Sequence, residues 1–507
     1  MLTLIALLLG VLHVAFFGVY LYLTWHHRYW QKRGLITARP VTLLGTYVGL
    51  FTGGRSFMHE VQDVYDKYKG KERAVGVFFT REPQILVLDP QLAHEVLVTN
   101  FSDFRDTISS TFVGYVRSDR FVIRNPFFTT GDDWKRRRTD IGGGLTSNKL
   151  KQAYAIWEQS GNKLLNYMEQ LIEKEGNVIE TRDLCYRYSA DAMADFIWGI
   201  DAGTLTAGIN ASSHFQKVSS TWTVKVFSNF TLFSQTVIAP FVRKLFQLRF
   251  FPKQTDEFFL QLTADAVQMR LKSGSGAQRS DYLSHMVQLM EQKGATNDDL
   301  VGHALTVLLD GYETSTGVLY QMLYMLGEYP EVQQKLRAEI VDALAADKNI
   351  SYEQLTTLPY LDQCVNESLR LSSIIGTLTK LCTKATTIDL DNGRKLQVEP
   401  GTSIMVPAYQ FHNDASYYPE PEVFKPERFE NGAHNECTKR GYFLPFGDGP
   451  RICLGMRLGL LNIKMALFRI LSEYEVLQTK KVPKTADSVL GLYLNGDIEL
   501  KYNKLNK

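Results

Sequence analysis

Phe446-Gly447-Asp448-Gly449-Pro450-Arg451-Ile452-Cys453-Leu454-Gly455 is the stretch on which the reading of this chain turns. One cysteine stands in a glycine-rich loop, with an arginine two places before it. An apolar, amphipathic run, Met456 to Leu471, follows at once. Gly447, Gly449 and Gly455 permit positive φ and close approach of the backbone to a flat ligand. Inward-turned backbone N–H groups can stabilise a charged sulfur. Pro450 stiffens the loop, and Arg451 could meet an anionic group such as a carboxylate. The pattern reads as a loop that holds one thiolate still. The plainer alternative is a buried cysteine in a turn before a helix.

The rest of the chain narrows the class. At 507 residues, length alone suggests about three domains. Nothing inside the chain reads as a linker, however, and no internal repeat is present. With 45% hydrophobic and 22% charged residues the chain can bury a large core. A net charge of +2 argues against a bulk nucleic-acid binder. Cys185, Cys364, Cys382, Cys437 and Cys453 are odd in number and show no CxxC spacing. They fit a reducing compartment, not a disulfide framework or a zinc site.

Leu2 to Leu23 carries no charged residue. A run of that length at ~1.5 Å per residue spans roughly 33 Å, enough for a bilayer core of about 30 Å. Trp25, Tyr29 and Trp30 follow as interfacial aromatics, then His26, His27, Arg28, Lys32 and Arg33. The positive-inside rule places the body on the cytoplasmic side. A cleaved signal peptide or a buried helix are the competing readings; no small-residue cleavage site follows the run. Residues 1–24 are therefore read as a membrane anchor, 25–55 as a hinge and 56–507 as the catalytic body.

Ala74 to Thr80 and Gln84 to Leu88, split by Arg81-Glu82-Pro83, predict a β-hairpin. Asp89-Pro90 opens a helix through Leu97. Residues 101–130 are irregular and carry Phe112, Tyr115, Phe121, Phe127 and Phe128. Trp134 and Arg138 are four apart and share a helix face, where an indole N–H and a guanidinium suit a carboxylate. Residues 150–300 read as long helices broken by loops. Leu245 to Pro252 either touches the membrane surface or packs. Asp298 to Tyr329 predicts one long apolar helix with Asp310-Gly311-Tyr312-Glu313-Thr314-Ser315 at its centre. Acids beside hydroxyls there are not what core packing wants. Glu367 and Arg370 form an i,i+3 pair on another helix, and Arg428 lies in the later Pro426-Glu427-Arg428-Phe429.

Thiolate is one of the axial ligands that haem iron accepts. The opening stretch, Phe-Gly-x-Gly-x-Arg-x-Cys-x-Gly, resembles the haem-binding loop of the cytochrome P-450 family of haem-thiolate monooxygenases. The likeness runs from the anchor to the C-terminal strands. Leu145 to Lys149 and Phe250-Phe251-Pro252-Lys253 look most like insect xenobiotic-type members. The resemblance implies a mainly α fold with small β-sheets: a single catalytic domain behind an N-terminal transmembrane helix. It implies haem b (iron protoporphyrin IX) between the Asp310–Ser315 helix and the cysteine loop.

By the same resemblance Cys453 is the iron ligand, with Phe446, Gly447 and Arg451 beside it. Trp134, Arg138 and Lys380 would meet the haem propionates, Lys380 standing where an arginine is usual. His412 matches either a propionate contact or a structural histidine. Thr314 and Glu313 would relay protons to bound dioxygen in a locally opened helix that Gly311 permits. Asp310, where the family has a small residue, either enters the distal pocket and favours basic ligands or pairs with an unseen neighbour. Glu367, Arg370 and Arg428 would lock the proximal core. Phe112, Phe121, Leu490, Leu492 and residues 374–379 would line a substrate pocket. Ser373 stands where proline is common, and the hinge is poorer in proline than in animal members.

Implied partners are NADPH–cytochrome P-450 reductase, cytochrome b5, membrane lipid and a lipophilic small-molecule substrate. Lys135, Arg136 and Arg137 read as a solvated face or as part of a basic docking patch. The implied location is the endoplasmic reticulum membrane, facing the cytosol. Two rivals are a haem-thiolate isomerase or peroxygenase that needs no reductase, and a non-catalytic haem sensor.

Overall fold

The computed structural model describes residues 2–52, 55–114, 120–209, 211, 213, 215, 252–272, 279–482, 484–485, 493–494 and 496–505. In chain order the elements that matter are helix α1 (Leu2–Thr24), strands β1 (Ala74–Phe79) and β2 (Glu82–Val87), and helices α2 (Gly131–Gly142), α3 (Tyr154–Glu175) and α4 (Thr181–Trp198). Helices α5 (Asn297–Glu328) and α6 (Pro359–Leu371), strands β3 (Leu378–Leu381) and β4 (Ser403–Val406), and helix α7 (Met456–Glu473) complete the frame. The mainly helical class with small sheets is the one expected.

Helix α5 is the spine. Thr296 and Asp299 close a reciprocal capping box at its start, satisfying two free backbone donors. Nearly every residue from Leu300 to Leu308 and from Ser315 to Leu326 is buried against α4, α7 and their neighbours. Two hydrophobic cores result. One gathers α3, α4, α5, α6 and α7; the other lies under the four-stranded sheet. That sheet runs β1-β2-β4-β3, with β2 and β4 parallel and the other pairs antiparallel. The cysteine loop bridges the cores: Leu444 packs into the sheet side, and Phe446 and Leu454 pack against the helical side. The site thus lies on a seam, where pockets commonly form.

Three local expectations shift. The hairpin turns at Thr80 and Arg81, and β2 starts earlier than predicted, with Phe78 opposite Pro83. Pro83 is tolerated because β4 joins β2 only from Gln84 onward, so no ladder donor is missed there. Asp89 caps the next helix as expected, accepting from the Leu92 N–H at 2.8 Å. The hinge segment is built into the body. Trp30, Leu35, Ala38 and Tyr47 are buried in the sheet-side core. A Cβ at Gly76 would stand 2.4 Å from the Trp30 ring, so β1 needs glycine there. At the end of α1, the Arg81 guanidinium lies 3.7 Å over the Tyr22 ring. Among the described residues, α1 is the one helix long and apolar enough to cross a membrane.

Candidate functional site

Backbone bonds close the cysteine loop, and side chains fasten it to its surroundings. The Cys453 N–H donates to the Phe446 carbonyl at 2.8 Å, and the Gly447 N–H to Leu444 at 3.0 Å. Asp448 accepts from the Gly449 N–H at 2.7 Å. Gly447 and Gly449 have φ of 72° and 70°, as the sequence predicts. At Gly449 a Cβ would meet the Leu97 carbonyl at 2.1 Å, so no larger residue fits. Gly455 departs from expectation: its φ is −90°, an ordinary value. A Cβ there would find nothing within 4 Å, so Gly455 closes its turn at an ordinary φ and leaves open space where a side chain would stand.

Cys453 has exposed surface, as does Asp310 on α5. Both are nevertheless enclosed by protein on nearly all sides, so they open onto an internal cleft, not onto the outer surface. Burial pushes the Cys453 thiol up to about 11, and the Asp310 charge adds to the shift. The Gly455 N–H and Arg138 act the other way. Sulfur and carboxylate are close enough to feel each other, which puts the centre of α5 across the cleft from the loop.

Beside the sulfur stands a cationic wall. Arg138 donates to the Ile452 carbonyl at 2.7 Å. Trp134 is buried, its ring 4.4 Å below the Arg451 guanidinium, and its indole N–H has no acceptor among the described residues. Lys380 is buried on β3 at 4.5 Å from the Phe101 ring centre, with only a marginal 3.5 Å bond to the Arg105 carbonyl. Burial and then the charge of Arg451 depress its ammonium to about 7. Arg451 does reach a carboxylate, Asp106 at 3.3 Å. Its remaining donors go to the carbonyls of Arg105, Pro126 and Thr129. It therefore fastens residues 105–129 to the cysteine loop. Two carboxylates, Asp106 and the exposed Asp132, are paired with the four cations Arg105, Arg138, Lys380 and Arg451 among the described residues, which leaves the wall short of negative charge and suits an anionic ligand.

Behind the loop, the predicted lock forms completely. Arg370 meets both Glu367 oxygens at 2.7 Å, and Arg428 Nε lies 3.3 Å from Glu367. Arg370 also donates to the carbonyls of His412 and Val423. Glu367, Arg370 and His412 have no exposed surface. His412 is structural: its Nε2 accepts from the Leu444 N–H at 2.8 Å, and Nδ1 lies 3.1 Å from the Ser373 hydroxyl. Burial and Arg370 lower its pKa to about 3, so it is neutral. Ser373, in the place of a common proline, is thereby the second arm of a bridge between α6 and the cysteine loop.

Across the cleft, α5 is an unbroken helix through Thr314, not the opened one expected. The Thr314 hydroxyl donates to the Asp310 carbonyl at 2.5 Å. A Cβ at Gly311 would contact Met193 at 3.5 Å and Leu458 at 3.6 Å, both buried, so Gly311 turns towards packed side chains and not the cleft. Glu313 bonds the Tyr186 hydroxyl of α4 at 2.5 Å. Burial raises the Glu313 carboxyl, while Tyr186 and Arg182 pull it back. Arg182 in turn donates to the carbonyls of Leu494 and Gly496. Burial pushes the Asp310 carboxyl up to about 7, and the Asn125 amide pulls it back. Among the described residues the Asp310 side chain has no ion pair, and Asn125 is the one side chain that acts on its carboxyl.

Of the expected pocket residues, Phe121 is 1% exposed and belongs to the helical core. It leads a short 3-10 turn that faces its ring inward, so it offers no surface to a ligand. Ile375, in the expected segment 374–379, keeps more than a third of its surface open. Leu490, Leu492, the Phe112 side chain and nearly all of Leu245 to Pro252 lie outside the described residues. Sequence reasoning missed Tyr186, Asn125 and Asp106, whose partners stand 127, 185 and 345 positions away. No local pattern signals such pairs. A separate polar cavity of about 140 Å³ between Gly144, Lys149, Arg279 and Asp281 shares no residue with the cleft.

A lone thiolate loop, a cationic wall with an unpartnered indole donor, and open space at Gly455 together fit haem, whose iron takes sulfur and whose propionates take cations. The class defined by this fold and cleft is that of haem-thiolate proteins. Comparison with known proteins agrees. Residues 38–499 match the family described as "Cytochrome P450". The chain is 58% identical to the "Probable cytochrome P450 309a1" of Drosophila melanogaster, with all of both chains covered. It is 53% identical to the "Probable cytochrome P450 309a2" of that species, over 99% of this chain and 94% of the relative. The "Cytochrome P450 6j1" of Blattella germanica is 29% identical, over 96% of each. This chain belongs to the cytochrome P-450 family: it is an oxidoreductase, a monooxygenase, with haem as its cofactor.

Proposed function

We propose that this enzyme inserts one oxygen atom of dioxygen into a lipophilic small molecule, drawing electrons from NADPH through a flavoprotein reductase, with cytochrome b5 as a second donor. The observation that carries the reading is the opposition of Cys453 to the Asp310–Thr314 turn of α5 across one enclosed cleft. Cys453 would hold the iron as thiolate. Trp134, Arg138 and Lys380 would hold the propionates, with Phe446, Gly447 and Arg451 shaping the loop. The bound haem supplies the oxygen-activating redox chemistry.

The residues of α5 handle protons. The Thr314 hydroxyl, parked on the Asp310 carbonyl, can swing one bond to face the cleft and donate there. Glu313, tied to Tyr186, recharges it from the α4 side. The intact Glu313–Thr314 pair speaks for reductase-dependent turnover over an isomerase or a haem sensor. On α2, Arg136 and Arg137 are paired with Asp133, whereas Lys135 has no ion pair among the described residues. Lys135 is thus the free cation on that face for an acidic electron donor. We assign residues 1–24 to an anchor in the endoplasmic reticulum membrane and the catalytic body to the cytosolic side.

Cys453→Ala tests the core of the proposal. Expected is loss of the haem-thiolate carbon-monoxide difference spectrum; an unchanged spectrum overturns it.

A further inference from the structure

The stretch Leu145-Thr146-Ser147-Asn148-Lys149 has no part in the haem cleft, and its lysine lines a cavity elsewhere. That cavity, of about 140 Å³, lies between the short helix Ser147–Gln152, the end of α4 and the helix Tyr282–Lys293. It has roughly ten times the room that one water needs. At Gly144, on its wall, a Cβ would stand 2.6 Å from the Tyr282 ring and 2.7 Å from the His285 ring. Only glycine lets the helix Tyr282–Lys293 come so near, and the lining is fixed by that contact. Tyr282 is fully buried, and the buried Phe196 of α4 is the aromatic side of the cavity.

The polar groups of the lining divide into those already satisfied and those left free. Asp281 is the carboxylate among them, and it is fully engaged. Arg270 meets its two oxygens at 2.9 and 2.6 Å, and the Ser284 N–H and hydroxyl donate to it as well. Arg279 pairs with Asp195 at 2.7 Å, which leaves donors of its guanidinium unused, and its side chain is 38% exposed. The Lys149 ammonium, the Gln152 and Gln288 amides and the Ser280 hydroxyl line the cavity with no ion pair or hydrogen bond among the described residues. Lys149 is half-buried, so its charge is less screened than that of a lysine in open water. The cations Lys149, Arg270 and Arg279 outnumber the carboxylates Asp195 and Asp281 with which they cluster. The unmet charge is positive, and a cationic ligand would find the carboxylate occupied.

We propose that this cavity binds a phosphate group, free or as the monoester of a small polyol, with Lys149 and Arg279 supplying charge and Ser280, Gln152 and Gln288 supplying neutral donors. A phosphate carries a charge of about −1.5 to −2 near neutral pH, which matches two cations better than a singly charged ion does. Its oxygens accept from every direction, which suits donors that arrive from separate elements. The two amides accept as well as donate, so they can also hold a hydroxyl of the ester. The site shares no residue with the haem cleft, and its occupancy needs neither substrate nor electron donor.

The test titrates the full-length, haem-loaded protein by calorimetry with inorganic phosphate, with glycerol 3-phosphate and, as a control, with chloride. Ionic strength is held constant, which separates a built site from general screening. Expected is saturable one-to-one binding of a phosphate species and none of chloride. Binding of both species supports recognition of the phosphate group alone; binding of the ester only supports recognition of its hydroxyls as well. Lys149→Gln should weaken binding by about tenfold or more, the scale of one hydrogen bond to a charged group. The same change at the exposed Lys348, which does not line the cavity, should leave it unaltered. A second readout needs no variant to fold. Phosphate should shield Lys149, and not Lys348, from an amine-acylating reagent, as counted by peptide mass spectrometry. Failure of both phosphate species to saturate, binding matched by chloride, or undiminished affinity in Lys149→Gln overturns the site. Equal labelling of Lys149 with and without phosphate overturns it too.

Discussion

The two walls of the cleft are built on opposite plans. The cysteine side is over-determined: Glu367 alone receives Arg370, Arg428 and the Lys425 N–H, and none of its surface is exposed. His412, Ser373, Asp448 and Arg138 add further fixed contacts to the same loop or its base. The α5 side is sparse. Thr314 bonds its own helix, and Glu313 bonds one tyrosine. Rigidity is concentrated where a metal ligand must not move. Freedom is left where protons and substrate must.

The largest effect should come from breaking the rigid wall. Glu367→Ala leaves the buried Arg370 and the partly buried Arg428 guanidinium without their shared carboxylate, at a cost of about 3–5 kcal/mol. Denaturant unfolding checks this, and a loss under about 1 kcal/mol would contradict the lock. Next comes Lys380. Its ammonium is depressed to about 7 here, and a bound propionate would raise it again. Haem binding then takes up a proton above that pH. Affinity should be full below about pH 7 and fall as pH rises, approaching tenfold per unit. Lys380→Met should flatten that slope, as measured by haem transfer to a competing acceptor. A slope unchanged in the variant would remove Lys380 from the propionate site.

On the sparse wall, Thr314→Ala should leave stability nearly untouched. Product formed per NADPH consumed should fall by up to about a hundredfold, the lower end of general-acid contributions. Equal coupling in both proteins would count against the relay. The smallest effect returns to the rigid side. Ser373→Ala strips the His412 Nδ1 of its partner and should cost about 1–2 kcal/mol by thermal unfolding. A neutral result would mean that the bridge is redundant.

The contrast also explains what could be read from the chain. The rigid wall is made of short-range patterns: a ten-residue loop, an i,i+4 pair on α2 and an i,i+3 pair on α6. Each is a geometric unit within one element, so spacing alone reveals it. The partner Arg428 needed the family likeness. On the α5 side the residues were visible but their partners were not, since Tyr186 and Asn125 approach only when α4 and residues 120–130 fold against α5. Arg451 meets the carboxylate that a guanidinium suggests, Asp106, but the backbone carbonyls that take its other donors left no signal in the sequence. Of the two uses read into Gly455, positive φ is absent while the open space agrees with close approach to a flat ligand, and residue type alone could not choose between them. The burial of Trp30 and Tyr47 in the hinge was not legible, because these aromatics follow no periodicity.

The close fit of Trp30 on Gly76 has a consequence for how the enzyme meets its surroundings. If α1 stands in a bilayer, the sheet and therefore the cleft keep one heading relative to the lipid plane, with no slack chain in between. Collisions with lipid-borne reactants then become encounters of oriented bodies in two dimensions. An added methyl at residue 76 would loosen that heading long before it touched the chemistry.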